Sequence, residues 1–140
     1  MDWWDAYRAV KRGRIEKLRG AIPAELSANA TNKFGWTLLE VAAAVGNVPI
    51  GEFLLSQGAS VNALNDFGMS ALSSAALKGH LPFVRLLMKR GADASLCRLH
   101  GREPAQWLRF ASGLPSAKID AILAMIASLA EGEQTHPQGE

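Results

Sequence analysis

The chain of 140 residues is 49% hydrophobic and 20% charged, which is typical of one folded soluble domain. Its 15 basic and 13 acidic residues leave a net charge of +2, so nothing in these totals favours a nucleic-acid partner. The one cysteine, Cys97, excludes an intramolecular disulfide. No apolar run approaches the ~20 residues that span a bilayer, and we therefore expect no membrane segment.

The beginning of the chain predicts a cytoplasmic protein. An acid, Asp2, stands where a secretory signal carries positive charge, and no long apolar core follows it. A single cysteine agrees with a reducing compartment.

Basic residues are frequent near the beginning of the chain, within residues 1–33. They are Arg8, Lys11, Arg12, Arg14, Lys17 and Arg19. We interpret them as the solvated face of a helix, and a polyanion site is the less favoured alternative.

Two series of glycines recur every 33 residues, namely Gly13, Gly46 and Gly79, and Gly35, Gly68 and Gly101. Other residues agree at the same period, namely Leu39 with Leu72, Ala42 with Ala75, Pro49 with Pro82, and Gly58 with Gly91. Several independent coincidences at one period predict a repeat architecture.

Each repeat is predicted to hold two short helices joined by a glycine turn. In residues 34–66, an apolar run from Leu38 to Val45 predicts the first helix, and Gly46 ends it because glycine adopts a left-handed cap most easily. Pro49 begins the second helix, at a position where its missing N–H costs nothing. Gly58 ends that helix, and an extended segment leads to the next repeat.

The last unit, residues 100–129, is predicted to end in a longer helix. Ser112 and Gly113 form its turn, and the helix from Ser116 to Leu129 follows. Residues 131–140 are polar and contain proline and glycine, which predicts a disordered tail.

These units resemble the ankyrin repeat. The resemblance rests on Gly79-His80-Leu81, Leu86-Leu87, Gly91-Ala92-Asp93 and Gly58-Ala59-Ser60-Val61-Asn62-Ala63. It implies an all-α ankyrin-repeat solenoid of helix–turn–helix units joined by β-hairpin fingers. The four units are residues 1–33, 34–66, 67–99 and 100–129, in one domain that spans residues 1–130.

The outer units depart from the pattern, as the caps of a solenoid do when one face meets water. We expect Trp3 and Trp4 to cover the open N-terminal end. The Thr-Pro-Leu-His motif of the family is replaced by Thr37-Leu38-Leu39-Glu40, Ser70-Ala71-Leu72-Ser73 and Glu103-Pro104-Ala105-Gln106. The missing proline and histidine in the middle repeats predict weaker hydrogen bonds between repeats and a moderate stability.

Cys97 and His100 are the residues with the most reactive side chains at close spacing. They lie three residues apart, so in principle they could share a metal ion or form a thiolate–imidazole pair. Zinc needs three or four ligands, however, and a catalytic pair needs an orienting group in a cleft. The repeat alignment places both residues on an exposed finger. We therefore predict no catalytic residue, no cofactor and no metal, and a structural role for His80 in its turn.

The ankyrin resemblance implies that a protein partner binds the concave face, at the finger tips and the outer ends of the first helices. The predicted contact residues are Lys33, Phe34, Trp36, Val45, Asp66, Phe67, Met69, Leu77, Lys78, Leu99, His100, Arg102 and Phe110, and the first unit adds Lys11 and Arg12. Their apolar members predict a strip with a polar rim, as at protein interfaces. The alternative for any one residue is packing between fingers, and it is stronger for Phe34 and Phe67 because they recur at the same register. Trp107 is expected in the core.

The sequence therefore predicts a non-catalytic binding module for one protein partner, of the adaptor, inhibitor or immunity type. One alternative is a structural oligomer that self-associates through the same apolar strip, and a monomer or weak homodimer is expected. The other is a redox or metal function at Cys97 and His100.

Overall fold

The chain folds into pairs of short helices in a computed structural model that describes residues 1–99 and 101–135. The helices of these residues are α1 Trp3–Lys11, α2 Ile15–Ala21, α3 Leu38–Val45, α4 Val48–Ser56, α5 Ala71–Lys78, α6 Leu81–Lys89, α7 Pro104–Ala111 and α8 Ser116–Thr135. A single turn of 3-10 helix, Ala94–Leu96, precedes α7. One helix pair begins in each of the four predicted units.

Local sequence sets the ends of the helices. The Thr37 side chain accepts a hydrogen bond from the Glu40 backbone at the start of α3, and the Glu40 carboxylate accepts one from the Thr37 backbone. Gly46 ends the same helix with a φ of 83°. A side chain there would also lie 2.6 Å from the His80 ring, so both the backbone and the space require glycine.

The helices form two layers around one continuous apolar core. The first helices of successive units, α1, α3, α5 and α7, contact one another, and the second helices do the same on the outside. Alanines on the inner layer are fully buried, namely Ala6, Ala42, Ala43, Ala75 and Ala76, and their small size allows close approach. The outer layer contributes the larger side chains Ile50, Leu54, Phe83 and Leu87, also fully buried. Burial of each of these four larger side chains stabilises the fold by about 1.5–3 kcal/mol.

Hydrogen bonds between repeats are present although the family's proline and histidine are missing from the middle units. Asn65 donates to the buried Glu40 carboxylate at 2.8 Å. Ser73 Oγ lies 3.0 Å from the Leu96 carbonyl oxygen and 3.1 Å from that of Arg98. Glutamate and serine at the histidine position therefore make hydrogen bonds of their own to the finger that follows, and the moderate stability stays a prediction.

His80 joins the turn of one repeat to the inner helix of the repeat before it. Its Nε2 donates to the Ala44 carbonyl oxygen at 3.1 Å, so the histidine holds the end of α3 against the next unit. This agrees with the structural role predicted for it.

The fingers are glycine turns, and the residues that the structure describes contain no named strand. Two isolated antiparallel bridges, between Thr31 and Thr37 and between Leu99 and Arg102, stand where β-hairpins were predicted. The reason is visible in the second finger, where Asn32 Oδ1 accepts from the backbone N–H groups of both Phe34 and Trp36. Those N–H groups are then taken by a side chain and not by a partner strand. The all-α repeat fold is confirmed, and turns with isolated bridges stand in place of the predicted β-hairpins among the described residues.

The last helix is longer than predicted. It continues to Thr135, six residues beyond Leu129, so residues 131–135 are helical and the predicted disorder was wrong for this part. Ala130, Glu131 and Gln134 are good helix formers, and the first proline comes only at Pro137. The remaining residues of the predicted tail, 136–140, lie outside the described residues.

The tryptophans of the first unit do not cover the open end of the solenoid as predicted. Trp3 and Trp4 lie instead beside Trp36 and Val45 of the second repeat. A groove between α1 and α2 is lined by the exposed Arg8, Arg12, Arg14 and Lys17. These basic side chains are solvated, and they meet water at the end of the array at little cost.

Candidate partner-binding surface

The predicted contact residues differ in how far they are exposed. Phe34, Phe67 and Phe110 are 45%, 55% and 89% exposed. The other apolar members, namely Trp36, Val45, Met69, Leu77 and Leu99, are half-buried. The charged members Lys33, Asp66, Lys78 and Arg102 are exposed, and His100 lies outside the described residues.

The tips of the second and third fingers contact each other. The Phe34 and Phe67 ring centroids are 6.2 Å apart, and the Asp66 backbone N–H donates to the Phe34 carbonyl oxygen at 2.9 Å. The Lys33 ammonium lies 5.1 Å from the centre of the Phe34 ring. The two phenylalanines therefore pack between fingers, as their recurrence at one register indicated, and each still presents about half of its side chain to solvent.

Asparagine side chains fix the shape of both fingers. Asn32 Oδ1 binds the Phe34 and Trp36 N–H groups, and Asn65 Oδ1 binds those of Phe67 and Met69 at 2.9 and 3.1 Å. A side chain that accepts two backbone N–H groups holds a tight turn without a partner strand. The apolar side chains at these tips are thus placed by the loops themselves.

An aromatic pocket of about 270 Å³ lies between α1 and the second repeat. Its lining residues are Trp3, Trp4, Tyr7, Lys11, Asn32, Trp36, Val41, Ala44 and Val45. The rings of α1 contact one another. Trp3 stacks on Tyr7 with ring centroids 5.5 Å apart, and the Trp4 ring packs edge-on against Trp3 and Tyr7 with centroid distances of 5.0 and 5.4 Å. The Lys11 ammonium lies 6.0 Å from the Tyr7 ring centroid, at the edge of the pocket.

The family of the chain follows from its sequence taken with this fold. A sequence model of ankyrin repeats matches three copies over residues 6–96. The chain belongs to the ankyrin-repeat family. Ankyrin repeats generally mediate protein–protein interactions, and the family is typically non-catalytic. A search of curated proteins finds no match to the chain. The helix pair of α7 and α8 lies beyond the matched residues, so the structure supplies the fourth unit of this ankyrin-repeat protein.

Several pocket residues of the ankyrin-repeat protein, Trp4 and Tyr7 among them, were missing from the predicted contact set. Their spacing with Lys11 contains the signal, because residues three and four apart on a helix lie on one face. The contact positions were taken from the middle repeats, in which a finger precedes the first helix. No finger precedes α1, so this alignment assigns no contact residue to the beginning of that helix. For that reason the first unit contributed Lys11 and Arg12, with Trp3 expected nearby.

The structure brings the predicted strip together at its N-terminal end and leaves its other end separate. Trp36 and Val45 share the aromatic pocket, and Phe34 contacts Phe67. In the last finger, Leu99 pairs with Arg102 through two backbone hydrogen bonds of 3.2 and 2.9 Å. Phe110 projects from α7 and has no ring contact with another aromatic side chain within the described ranges.

Cys97 of the ankyrin-repeat protein is buried, which corrects its predicted place on an exposed finger. It follows the 3-10 turn Ala94–Leu96 and packs into the main apolar core. Burial, with a smaller contribution from the nearby Glu103 carboxylate, raises the pKa of the thiol to about 12. A neutral, enclosed thiol is a poor nucleophile and a poor metal ligand. Among the described residues, no group of three His, Cys, Asp or Glu side chains is placed to hold a metal ion.

Glu40 is a second buried ionisable group. It is 1% exposed, and burial raises the pKa of its carboxyl to about 7 despite the hydrogen bonds from Thr37 and Asn65. The carboxyl lies under the second finger, where it accepts bonds from both neighbours. Its position makes it part of the junction between repeats and not of the exposed surface.

None of the described helices is both long enough and apolar enough to cross a bilayer.

Proposed function

We propose that this ankyrin-repeat protein is a non-catalytic module that docks one protein partner on its concave face. The observation that carries the proposal is the aromatic pocket with its neighbouring pair of exposed rings, Phe34 and Phe67. Exposed aromatic side chains beside a basic rim are typical of the centre of a protein interface. The contact surface is the predicted set of residues, with Trp4 and Tyr7 added.

The energetics of the exposed rings support this function. Phe67 and Phe110 keep half or more of their side-chain surface in water. A partner that covers such a ring gains about 25 cal/mol for each Å² of apolar surface that leaves water. The asparagine-held turns also place the Phe34, Trp36, Phe67 and Met69 backbones before binding, so little ordering remains to oppose association.

The test is capture of the partner from the native organism, with the protein as bait. We expect Trp36→Asp with Met69→Asp to abolish capture while helical circular dichroism is retained. Because Trp36 and Met69 are half-buried, Phe67→Asp and Phe110→Asp provide a second variant at the most exposed positions. Leu64→Asp is the matched control, since Leu64 is 48% exposed and lies outside the predicted surface. Undiminished capture by both folded double variants contradicts the proposed surface.

The consequence of binding separates the types of module. An inhibitor or an immunity-type protein lowers the activity of the captured partner, and an adaptor leaves that activity unchanged while it brings a further protein into the complex. Assays of the purified partner with and without this chain distinguish them. We place this binding in the cytoplasm, in agreement with a chain whose one thiol is free.

Self-association through the same surface is the second candidate. The almost fully exposed Phe110 favours it, because a second copy is one way to cover such a ring. Light scattering over a concentration series tests it. A molar mass that rises with concentration, and that Phe110→Asp returns to the monomer value, supports the oligomer, and a constant monomer mass contradicts it.

A further inference from the structure

The charge of the predicted face points to the chemistry of the partner. Its exposed cations Lys11, Lys33, Lys78 and Arg102 stand against one carboxylate, Asp66. Arg12 lines the groove between α1 and α2 instead, so this face carries +3. This positive charge attracts an acidic surface.

None of these four cations forms an ion pair within the part of the chain that the structure describes. The ion pairs there use other cations, such as Arg8 with Asp5 and Arg98 with Glu103. Lys11 and Lys33 lie instead over the rings of Tyr7 and Phe34, at 6.0 and 5.1 Å. Their ammonium groups are exposed and ready to pair with carboxylates of another chain.

Lys11 lines the aromatic pocket. Lys33 follows Asn32, which also lines it, and the Lys33 ammonium lies over the neighbouring Phe34 ring. The cavity of about 270 Å³ suits one large side chain, and its walls are indole and phenol rings with Val41 and Val45. An aromatic pocket also attracts cations, but Lys11 already holds a positive charge at its edge and repels a second one. The combination favours an apolar side chain with acidic neighbours.

We propose that the partner docks through an acidic segment that places one aromatic or large aliphatic side chain in the pocket between α1 and the second repeat, with flanking carboxylates on Lys11 and Lys33. This inference rests on the proposed function and names the class of partner. The ring contacts orient the anchor, and the lysines determine which segments are accepted.

A displayed library of random peptides, selected on the whole protein, tests the inference without knowledge of the partner. We expect the selected sequences to share one tryptophan, phenylalanine or leucine with aspartate or glutamate beside it. Selected peptides that are basic or lack a large apolar residue overturn the inference, and so does the failure of any peptide to be enriched over a blank surface.

A probe peptide of one tryptophan between glutamates, and the same peptide with lysines, allow a direct measurement by fluorescence anisotropy. We expect the acidic probe to bind at least about tenfold more tightly at low salt, and this preference to shrink as added salt screens the charges. Trp4→Ala removes a half-exposed wall of the pocket and Lys11→Glu reverses the edge charge, and each weakens the acidic probe at least about tenfold. Lys89→Glu, an equal charge change on the outer helix α6, leaves binding unchanged.

Equal binding of the two probes, or an equal loss with Lys89→Glu, overturns the acidic-segment inference. These outcomes are separate from failure of the proposed function. If Trp36→Asp with Met69→Asp abolishes capture of a natural partner while Lys11→Glu does not, the concave face binds protein and the acidic segment is wrong. If a second copy of the chain occupies the pocket, the molar mass rises with concentration and Trp4→Ala lowers it, which also overturns the inference.

Discussion

Asn65 donates a hydrogen bond of 2.8 Å to the Glu40 carboxylate, and this bond joins the inner helix of the second repeat to the finger of the third. The other oxygen of Glu40 accepts from the backbone and hydroxyl groups of Thr37 at 3.4 and 3.3 Å. Both carboxylate oxygens are therefore satisfied by neutral donors. Burial still raises the pKa of the carboxyl to about 7, because these donors only partly replace the water that the charged form loses.

Stability should fall as the pH rises from about 4.5 to about 7. The folded protein holds the Glu40 proton more tightly than the unfolded chain, whose ordinary pKa is 4.5. The contribution is therefore complete below 4.5 and is lost as the pH passes through the folded pKa, at a cost of about 3 kcal/mol. Urea unfolding of the wild type and of Glu40→Gln across this range measures it. We expect the difference between the two to change with pH, and a constant difference contradicts the assignment.

Two adjacent buried serines should respond in opposite ways to alanine. The Ser73 hydroxyl shares its one proton between the Leu96 and Arg98 carbonyl oxygens, and Ser73→Ala removes this donor, which we expect to cost about 1–3 kcal/mol. Ser74 Oγ is buried with no hydrogen-bond partner among the described residues. Ser74→Ala removes that unsatisfied group and should leave stability unchanged or raise it by up to about 1 kcal/mol. The midpoints of urea unfolding of both variants measure these changes. Equal losses of stability in the two variants would show that the Ser73 hydrogen bonds do not stabilise the fold.

Two helical glycines form a second matched pair. A Cβ at Gly51 in α4 would lie 2.6 Å from the Phe83 ring, so Gly51→Ala should lower the free energy of unfolding by about 1–3 kcal/mol. A Cβ at Gly20 in α2 meets nothing within 4 Å, and Gly20→Ala should stabilise by up to about 1 kcal/mol through helix propensity. Thermal unfolding of each variant measures the two effects. A stabilising Gly51→Ala would mean that α4 and α6 pack less closely than described.

Cys97 should be unreactive in the native protein. The raised pKa keeps the thiol protonated at neutral pH, and its enclosure blocks reagents. We expect Ellman's reagent to label it slowly in buffer and at once in denaturant, with a native rate that follows unfolding. Rapid stoichiometric labelling under native conditions would instead place the thiol at the surface and revive a redox function.

The fold was accessible from the sequence because its determinants recur. Gly46 and Gly79 end α3 and α5 at the predicted places, and both have the left-handed backbone that was the reason for predicting a turn there. Trp107 is in the core, as its register indicated. The structure at such positions depends on a few neighbouring residues, and these residues can be recognised because they recur every 33 residues.

What the sequence did not predict depends on contacts between unlike units. Glu40 with Asn65 and Ser73 with two carbonyl groups replace a family motif with different chemistry at each junction, so no period reveals them. The aromatic pocket combines the beginning of α1 with the second finger, and α1 has no counterpart of that finger. The burial of Cys97 follows from the 3-10 turn before it, which the earlier repeats do not show among the described residues.

The three fingers are held by different forces. Asn32 and Asn65 secure the second and third through neutral amide bonds, whereas the residue at the same register in the last finger is Arg98, which pairs with the exposed Glu103 carboxylate. Salt weakens an exposed ion pair and leaves the amide bonds almost untouched. We therefore expect added salt to weaken the side-chain bond that holds the last finger, beside Leu99 and Arg102, and to leave the turns that carry Trp36 and Phe67 as they are.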